Sequence, residues 1–258
     1  MSNNIESMAV LIGINYVKSP SSRLRGCITD VNNMAHFLKE TLNYDVIDVY
    51  TDVKDETKTR SNAIIISLLR LARDSHRYKL KNAWIHFSGH GCSIPDATGD
   101  EQNYLDECIV PSDYEKTGVI PDDVLKKILC KFYKDTTVTC IFDCCHSGTI
   151  GDLTYNYNTD EHVPTLENTT STCCAKVTMI SGCMDCQTSA DAYNVQGLRK
   201  FSGAMTSCLL EVLQTEELTF NVIKKLRYIL KQKNFEQIPQ LSTSFIVNKH
   251  TILCRSQK

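Results

Sequence analysis

Apolar runs and helical periodicities alternate along this chain. Residues 8–15 (MAVLIGIN) form a continuous apolar run closed by polar positions, the pattern of a strand covered on both faces. Over 30–42, Val31, Met34, Phe37, Leu38 and Leu42 recur at helical spacing. Residues 44–50 alternate through Val46 and Val49 as a second strand. A long helix follows over 58–78, carried by Ile64, Ile65, Leu68, Leu71 and Ala72, and 81–88 makes a third strand. Pro121-Asp122-Asp123 opens another helix, with proline in the first turn and acids at the positive end of the helix dipole. A fourth strand spans 136–142. The stretch 149–175 is polar, rich in Thr and Asn and without period, which predicts a long surface loop. The pattern then resumes with a strand over 176–181, helices over 201–213 and 218–231, and a last strand over 241–247.

Strands alternating with helices imply βαβ crossovers. The expected class is α/β, with a mainly parallel central sheet flanked by helices on both faces. In such sheets functional groups gather beyond the carboxyl ends of the strands. A length of 258 residues with 42% hydrophobic content suits one large domain, and no linker divides it.

The net charge of −2 offers no basic footprint, so a nucleic-acid partner is excluded from the reading. The segment MSNNIES has no basic region, and the apolar stretch 8–14 is too short for a signal or a span. The expectation is a soluble, cytoplasmic protein with no membrane partner. Thirteen cysteines form an odd set scattered through predicted strands and helices, which reads as reduced thiols rather than a disulfide framework.

Two strand ends carry the chemistry. The run AWIHFS (83–88) leads into Gly89-His90-Gly91, and TCIFDCCHSG (139–148) leads into Cys144, Cys145 and His146. A thiol near its free pKa needs a base or a cationic neighbour to act as nucleophile, and His90 is the candidate base for Cys145. Cys144 faces the other way on an extended chain and reads as a core thiol. His146 points away from its neighbour, and His86, in mid-strand, reads as a satisfied structural histidine. Gly91 and Cys145 are the candidate backbone donors for a developing oxyanion. Zinc is a weaker reading: Cys183 and Cys186, Cys173-Cys174 and Cys144-Cys145-His146 offer soft ligands, but no second CxxC accompanies them.

HFSGHG (86–91), DCCHSG (143–148), ISGCMDCQTSADA (180–192) and LRGCITDV (24–31) together resemble the signature blocks of metacaspases, caspase-like cysteine peptidases. The order fits: 145 − 90 places the histidine 55 residues before the cysteine, near the caspase-like separation. A QACRG-type motif is absent, which speaks against a caspase proper. The resemblance implies a caspase-like fold over 1–258, with a large-subunit-like part (1–148), an intersubunit loop (149–175) and a small-subunit-like part (176–258). It is similar to the type I arrangement without the N-terminal prodomain. It implies an endopeptidase with Cys145 as nucleophile and His90 as general base and acid. Cys27, Asp30, Ser88 and Asp143 would line the S1 pocket, so that protein or peptide substrates are cut after Arg or Lys. It further implies calcium as cofactor, held by Asp106, Asp122, Asp123 and Asp152, and a monomer. Without the resemblance, Asp30 reads as the N-cap of its helix, Asp122 and Asp123 as helix-start residues, and Asp152 as a solvated loop acid. Residues 149–175 contain no Lys or Arg, so the loop is expected to stay uncut. The rival readings are a catalytically silent scaffold of the same fold, against which intact His90 and Cys145 speak, and a thiol-redox or metal-binding protein.

Overall fold

A computed structural model describes residues 5–95, 105–144, 150–157, 159–161, 163–166, 173–182, 191–193, 201–215, 219–247 and 251. The chain runs β1 (Ser7–Gly13), α1 (Cys27–Glu40), β2 (Val46–Thr51), α2 (Asp52–Asp55), α3 (Ser61–Tyr78) and β3 (Asn82–Ser88). Next come β4 (Gly91–Pro95), β5 (Leu105–Ile109), α4 (Tyr114–Thr117), β6 (Ile120–Pro121), α5 (Asp122–Leu129) and β7 (Thr137–Asp143). The remainder is β8 (Tyr155–Tyr157), β9 (Thr165–Leu166), β10 (Lys176–Ser181), β11 (Asp191–Tyr193), β12 (Phe201–Gly203), α6 (Ala204–Leu213), α7 (Phe220–Gln232) and β13 (Gln240–Thr243).

Eight of these strands form one sheet in the order β2-β1-β3-β7-β10-β13-β8-β9. The pairings from β2 through β10 are parallel, and β13, β8 and β9 add on antiparallel. Alternation along each strand sends side chains to two cores. Val10, Ile12, Ile85 and Val138 join α3 and α5 through Ile64, Leu68, Leu125 and Ile128. Ala9, Leu11, Trp84 and Ile141 join α1, α6 and α7 through Val31, Met34, Met205 and Leu226. The apolar runs of β1, β3 and β7 are therefore doubly covered strands, the pattern that parallel sheets impose.

Several elements differ from the periodicity reading. Helix α1 begins at Cys27 with Gly26 at the N-cap, so Asp30 lies inside its first turn and caps nothing. Residues 201–203 are extended, and the helix starts only at Ala204. Pro121 is the N-cap of α5 and still pairs with Cys108 as a strand residue. The strand expected over 241–247 covers Gln240–Thr243.

A second sheet, β4-β5-β6, escaped the sequence reading because its strands are at most five residues long and β4 (GCSIP) holds Gly, Ser and Pro. The stretch 149–175 is not wholly a surface loop. Ile150, Leu153 and Tyr157 are buried, and β8 pairs with β13, because Tyr157 and Asn156 alternate into the sheet edge.

Candidate active site

The parallel pairing of β3 with β7 sets Ser88 opposite Asp143. Beyond that pair the Gly89 N–H donates to the Asp143 carbonyl at 3.3 Å, so the two strand ends stay joined. Glycine is required there: a Cβ at position 89 would stand 2.7 Å from the Phe87 ring and 2.9 Å from the Tyr16 hydroxyl. That hydroxyl accepts the His90 N–H at 2.8 Å and donates to the Val110 carbonyl at 2.7 Å, while the Val110 N–H returns to the His90 carbonyl at 3.1 Å. The Tyr16 and His90 rings lie 4.7 Å apart between centroids. Tyr16 adopts a left-handed backbone (φ 52°), a costly conformation for a bulky residue that the surrounding bonds must hold in place. Burial holds its hydroxyl well above the usual tyrosine range, so it stays a neutral donor.

The His90 ring is half-buried, with Nε2 2.7 Å from the Ser22 carbonyl. A carbonyl only accepts, so Nε2 carries the proton and Nδ1 keeps its lone pair. The tautomer is thus set by the 16–24 loop, which β1 delivers to the same edge of the sheet. Cys145 lies outside the described residues, as do His146, Cys183 and Cys186. Its neighbour Cys144 is fully buried, as expected of a core thiol.

Asp30, Ser88 and Asp143 come together at this edge, all buried. The Ser88 hydroxyl donates to Asp30 Oδ2 at 2.8 Å, and the Gly203 N–H reaches both Asp30 oxygens at 2.8 and 2.9 Å. Asp143 Oδ2 accepts the backbone N–H and the hydroxyl of Thr206 at 2.9 and 2.8 Å. Gly203 lies between the two carboxylates: a Cβ there would run into Asp143 Oδ2 and stand 2.8 Å from Asp30 Oδ2. Its φ of −63° is open to any residue, so space alone demands the glycine. Cys27 sits one turn before Asp30 on α1 and is buried. His86 is buried beneath this group, with Nε2 3.4 Å from the Thr206 hydroxyl. Its Nδ1 has no partner among the described residues, so it is structural but only half satisfied. Burial pushes its pKa down to about 3.

A second acidic group lies where β5, α5 and the segment after β7 meet. Asp122 Oδ2 accepts the Glu107 N–H at 2.9 Å and Oδ1 accepts the Asp123 N–H at 2.8 Å. Burial, reinforced by the charges of Asp152 and Glu107, pushes the Asp122 carboxyl up to about 9. Asp152 is buried rather than a solvated loop acid. It holds a left-handed backbone (φ 46°) and lies 3.6 Å from the buried Lys126 ammonium. Asp106 is buried on β5, whereas Asp123 turns to Lys127 four residues on, at 2.8 Å. Among the described residues no three His, Cys, Asp or Glu side chains are arranged to hold a metal ion.

The sequence of residues 7–154 matches the metacaspase, peptidase C14 domain. Metacaspase-2 of Trypanosoma brucei brucei is 34% identical over 92% of this chain and 72% of its own length. Metacaspase-1B of Aspergillus oryzae is 33% identical over 92% of this chain and 67% of its own. The chain belongs to the metacaspases. Caspase-1 from Spodoptera frugiperda superposes with a TM-score of 0.64 at 13% identity, covering 98% of this chain and 92% of that one, and so shares the caspase fold. Membership makes the chain a cysteine peptidase acting on protein substrates. Among the described residues, no helix is long and apolar enough to cross a membrane.

The metacaspase match spans His90, Cys145 and every candidate pocket and acidic residue. The sequence reading missed the groups that build the site around them: Tyr16, the Ser22 carbonyl, Thr206, Gly203, Glu107 and Lys126. A backbone carbonyl leaves no mark in a sequence. Tyr16, by contrast, stands directly after an apolar strand, where function is expected in this fold class.

Proposed function

We propose that this metacaspase is a calcium-dependent endopeptidase that cleaves after Arg or Lys through a Cys145–His90 dyad. The observation that carries the reading is the pairing of Asp30 and Asp143 as buried carboxylates on either side of Gly203, at the strand ends that lead to His90 and Cys145. Two carboxylates in one buried place favour a long cationic side chain, which would form charge-assisted hydrogen bonds to them. An acidic P1 residue would be repelled. Support for the dyad comes from register. Ser88 opposite Asp143 is an offset of 143 − 88 = 55, the same as 145 − 90, so both residues follow a paired position by two.

His90 Nδ1 takes the Cys145 thiol proton, and the thiolate adds to the scissile carbonyl. The Gly91 and Cys145 N–H groups are the donors assigned to the oxyanion. The imidazolium then gives its proton to the leaving amine, and water hydrolyses the acyl-enzyme with His90 again as base. Throughout, the Ser22 carbonyl stabilises the protonated ring and holds its orientation.

Asp106, Asp122, Asp123 and Asp152 would hold calcium. Their hard oxygens suit a divalent cation, as does the crowding of Asp152 and Glu107 that adds to burial in raising Asp122, although the side chains must converge and Asp152 must share its oxygen with Lys126. Calcium, when bound, would add positive charge to this buried acidic group beyond that of the Lys126 ammonium beside Asp152. The same reading includes a monomer working in the cytoplasm.

Paired fluorogenic peptides ending in Arg or Asp, with calcium or chelator, test this on the wild type and Cys145→Ala. Cleavage of the Arg peptide alone, dependent on calcium and absent in the variant, is expected. Turnover surviving in Cys145→Ala, or preference for Asp, would sink it.

A further inference from the structure

Strands β4 and β5 pair antiparallel with Cys92 directly opposite Cys108. Residues so opposed have Cα atoms about 4.5 or 5.5 Å apart, inside the range of roughly 4.4–6.8 Å that a disulfide spans. Side chains of residues so opposed lie on the same face of the sheet, with Cβ atoms about 4.5–5.5 Å apart. Cys108 is fully buried, with its sulfur 3.6 Å from the Asp106 carbonyl, while Cys92 is half-buried and reachable from solvent. None of the described cysteines is in a disulfide.

We propose that Cys92 and Cys108 form a redox-active cross-strand pair that hydroperoxides, with hydrogen peroxide as the simplest, oxidise to a disulfide. The peptidase mechanism uses neither thiol. Cys92 is the attacking sulfur because it is the accessible member of the pair, whereas Cys108 is fully buried. Its thiolate displaces hydroxide from the peroxide O–O bond and becomes a sulfenic acid. The Cys108 thiol then attacks that sulfur, the S–O bond breaks, and water leaves as the S–S bond forms. Two thiols and one hydrogen peroxide thus become one disulfide and two waters, with two electrons passing from sulfur to oxygen. A dithiol reductant reverses the change by thiol–disulfide exchange.

The pair stands two residues from His90, on the hairpin that supplies its backbone bonds. β4 starts at Gly91, and β5 leads into Val110, which bonds both His90 and Tyr16. A disulfide at this place crosslinks the strands that hold the candidate base.

The test is made on full-length Cys145→Ala, so that the nucleophile cannot be oxidised and no activity is required. Intact mass and peptide mapping follow treatment with hydrogen peroxide, then with a dithiol. The expected product is two hydrogens lighter, contains a linked Cys92–Cys108 peptide, and reverts on reduction. Adding Cys92→Ser, with folding checked by circular dichroism, should abolish that linkage. The proposal is overturned by no change in mass, by oxygen addition at Cys92 without a crosslink, or by a linkage confined to other thiols such as the neighbouring Cys130 and Cys173. Loss of peptidase activity in the separate peptide assay leaves this result untouched, so the two readings fail independently.

Discussion

Asp30 shows how far a single residue's meaning depends on its surroundings. In sequence it is an acid near a helix start, and that position alone suggests a cap. In the fold it accepts hydrogen bonds from Ser88 and Gly203, which come from β3 and β12, and it faces Asp143 across a glycine. Asp30→Asn keeps the shape and removes the charge. The expected result is a fall of about ten- to a hundredfold in kcat/KM for an Arg peptide, the worth of a charge-assisted hydrogen bond of roughly 1.5–3 kcal/mol. An equal fall for a substrate with an uncharged P1 residue would remove Asp30 from the specificity pocket. Gly203→Ala fills the space between the carboxylates and is expected to impair the same substrate while destabilising the fold by about 1–3 kcal/mol, read as a lowered urea midpoint. Unchanged stability would show that the carboxylates can move apart.

At the scale of elements, long strands and helices were legible and short ones were not. β1, β3 and β7 announce themselves as apolar runs because both faces are covered, and α3 because one stripe faces the sheet. The β4–β5 hairpin and β8 depend on partners distant in sequence, and no local pattern of three to five residues carries that information. The segment between β7 and β10 joins the sheet through β8 and contributes Asp152 to the acidic group. It also has no Lys or Arg within 149–175. A peptidase specific for those residues is therefore expected to leave this segment intact. After incubation with calcium, mass spectrometry should find no cut within it, and clean cuts there would contradict the specificity.

For the whole molecule, His86 couples stability to pH. The unfolded chain takes up a proton at this residue below about pH 6.5, which the folded chain refuses until about 3. Stability contributed by the neutral ring is thus complete above 6.5 and is lost as pH falls, at up to about 1.4 kcal/mol per pH unit. Urea midpoints between pH 7 and 4 should drop more steeply for the wild type than for His86→Gln, and parallel curves would show that His86 is not the group responsible. The sequence by itself determined the α/β class, the strands that end at His90 and Cys145, the metacaspase signature blocks and the absence of a basic residue between the two parts. These rest on local pattern and on residue identity, which a linear text preserves. Only the tertiary structure decided that the Ser22 carbonyl sets the His90 tautomer, that Asp30 and Asp143 meet across Gly203, that burial, reinforced by Asp152 and Glu107, pushes the Asp122 carboxyl up, and that Cys92 opposes Cys108. Each of these is a contact between residues far apart in the chain or a consequence of burial, and both arise only when strands pair and the core closes.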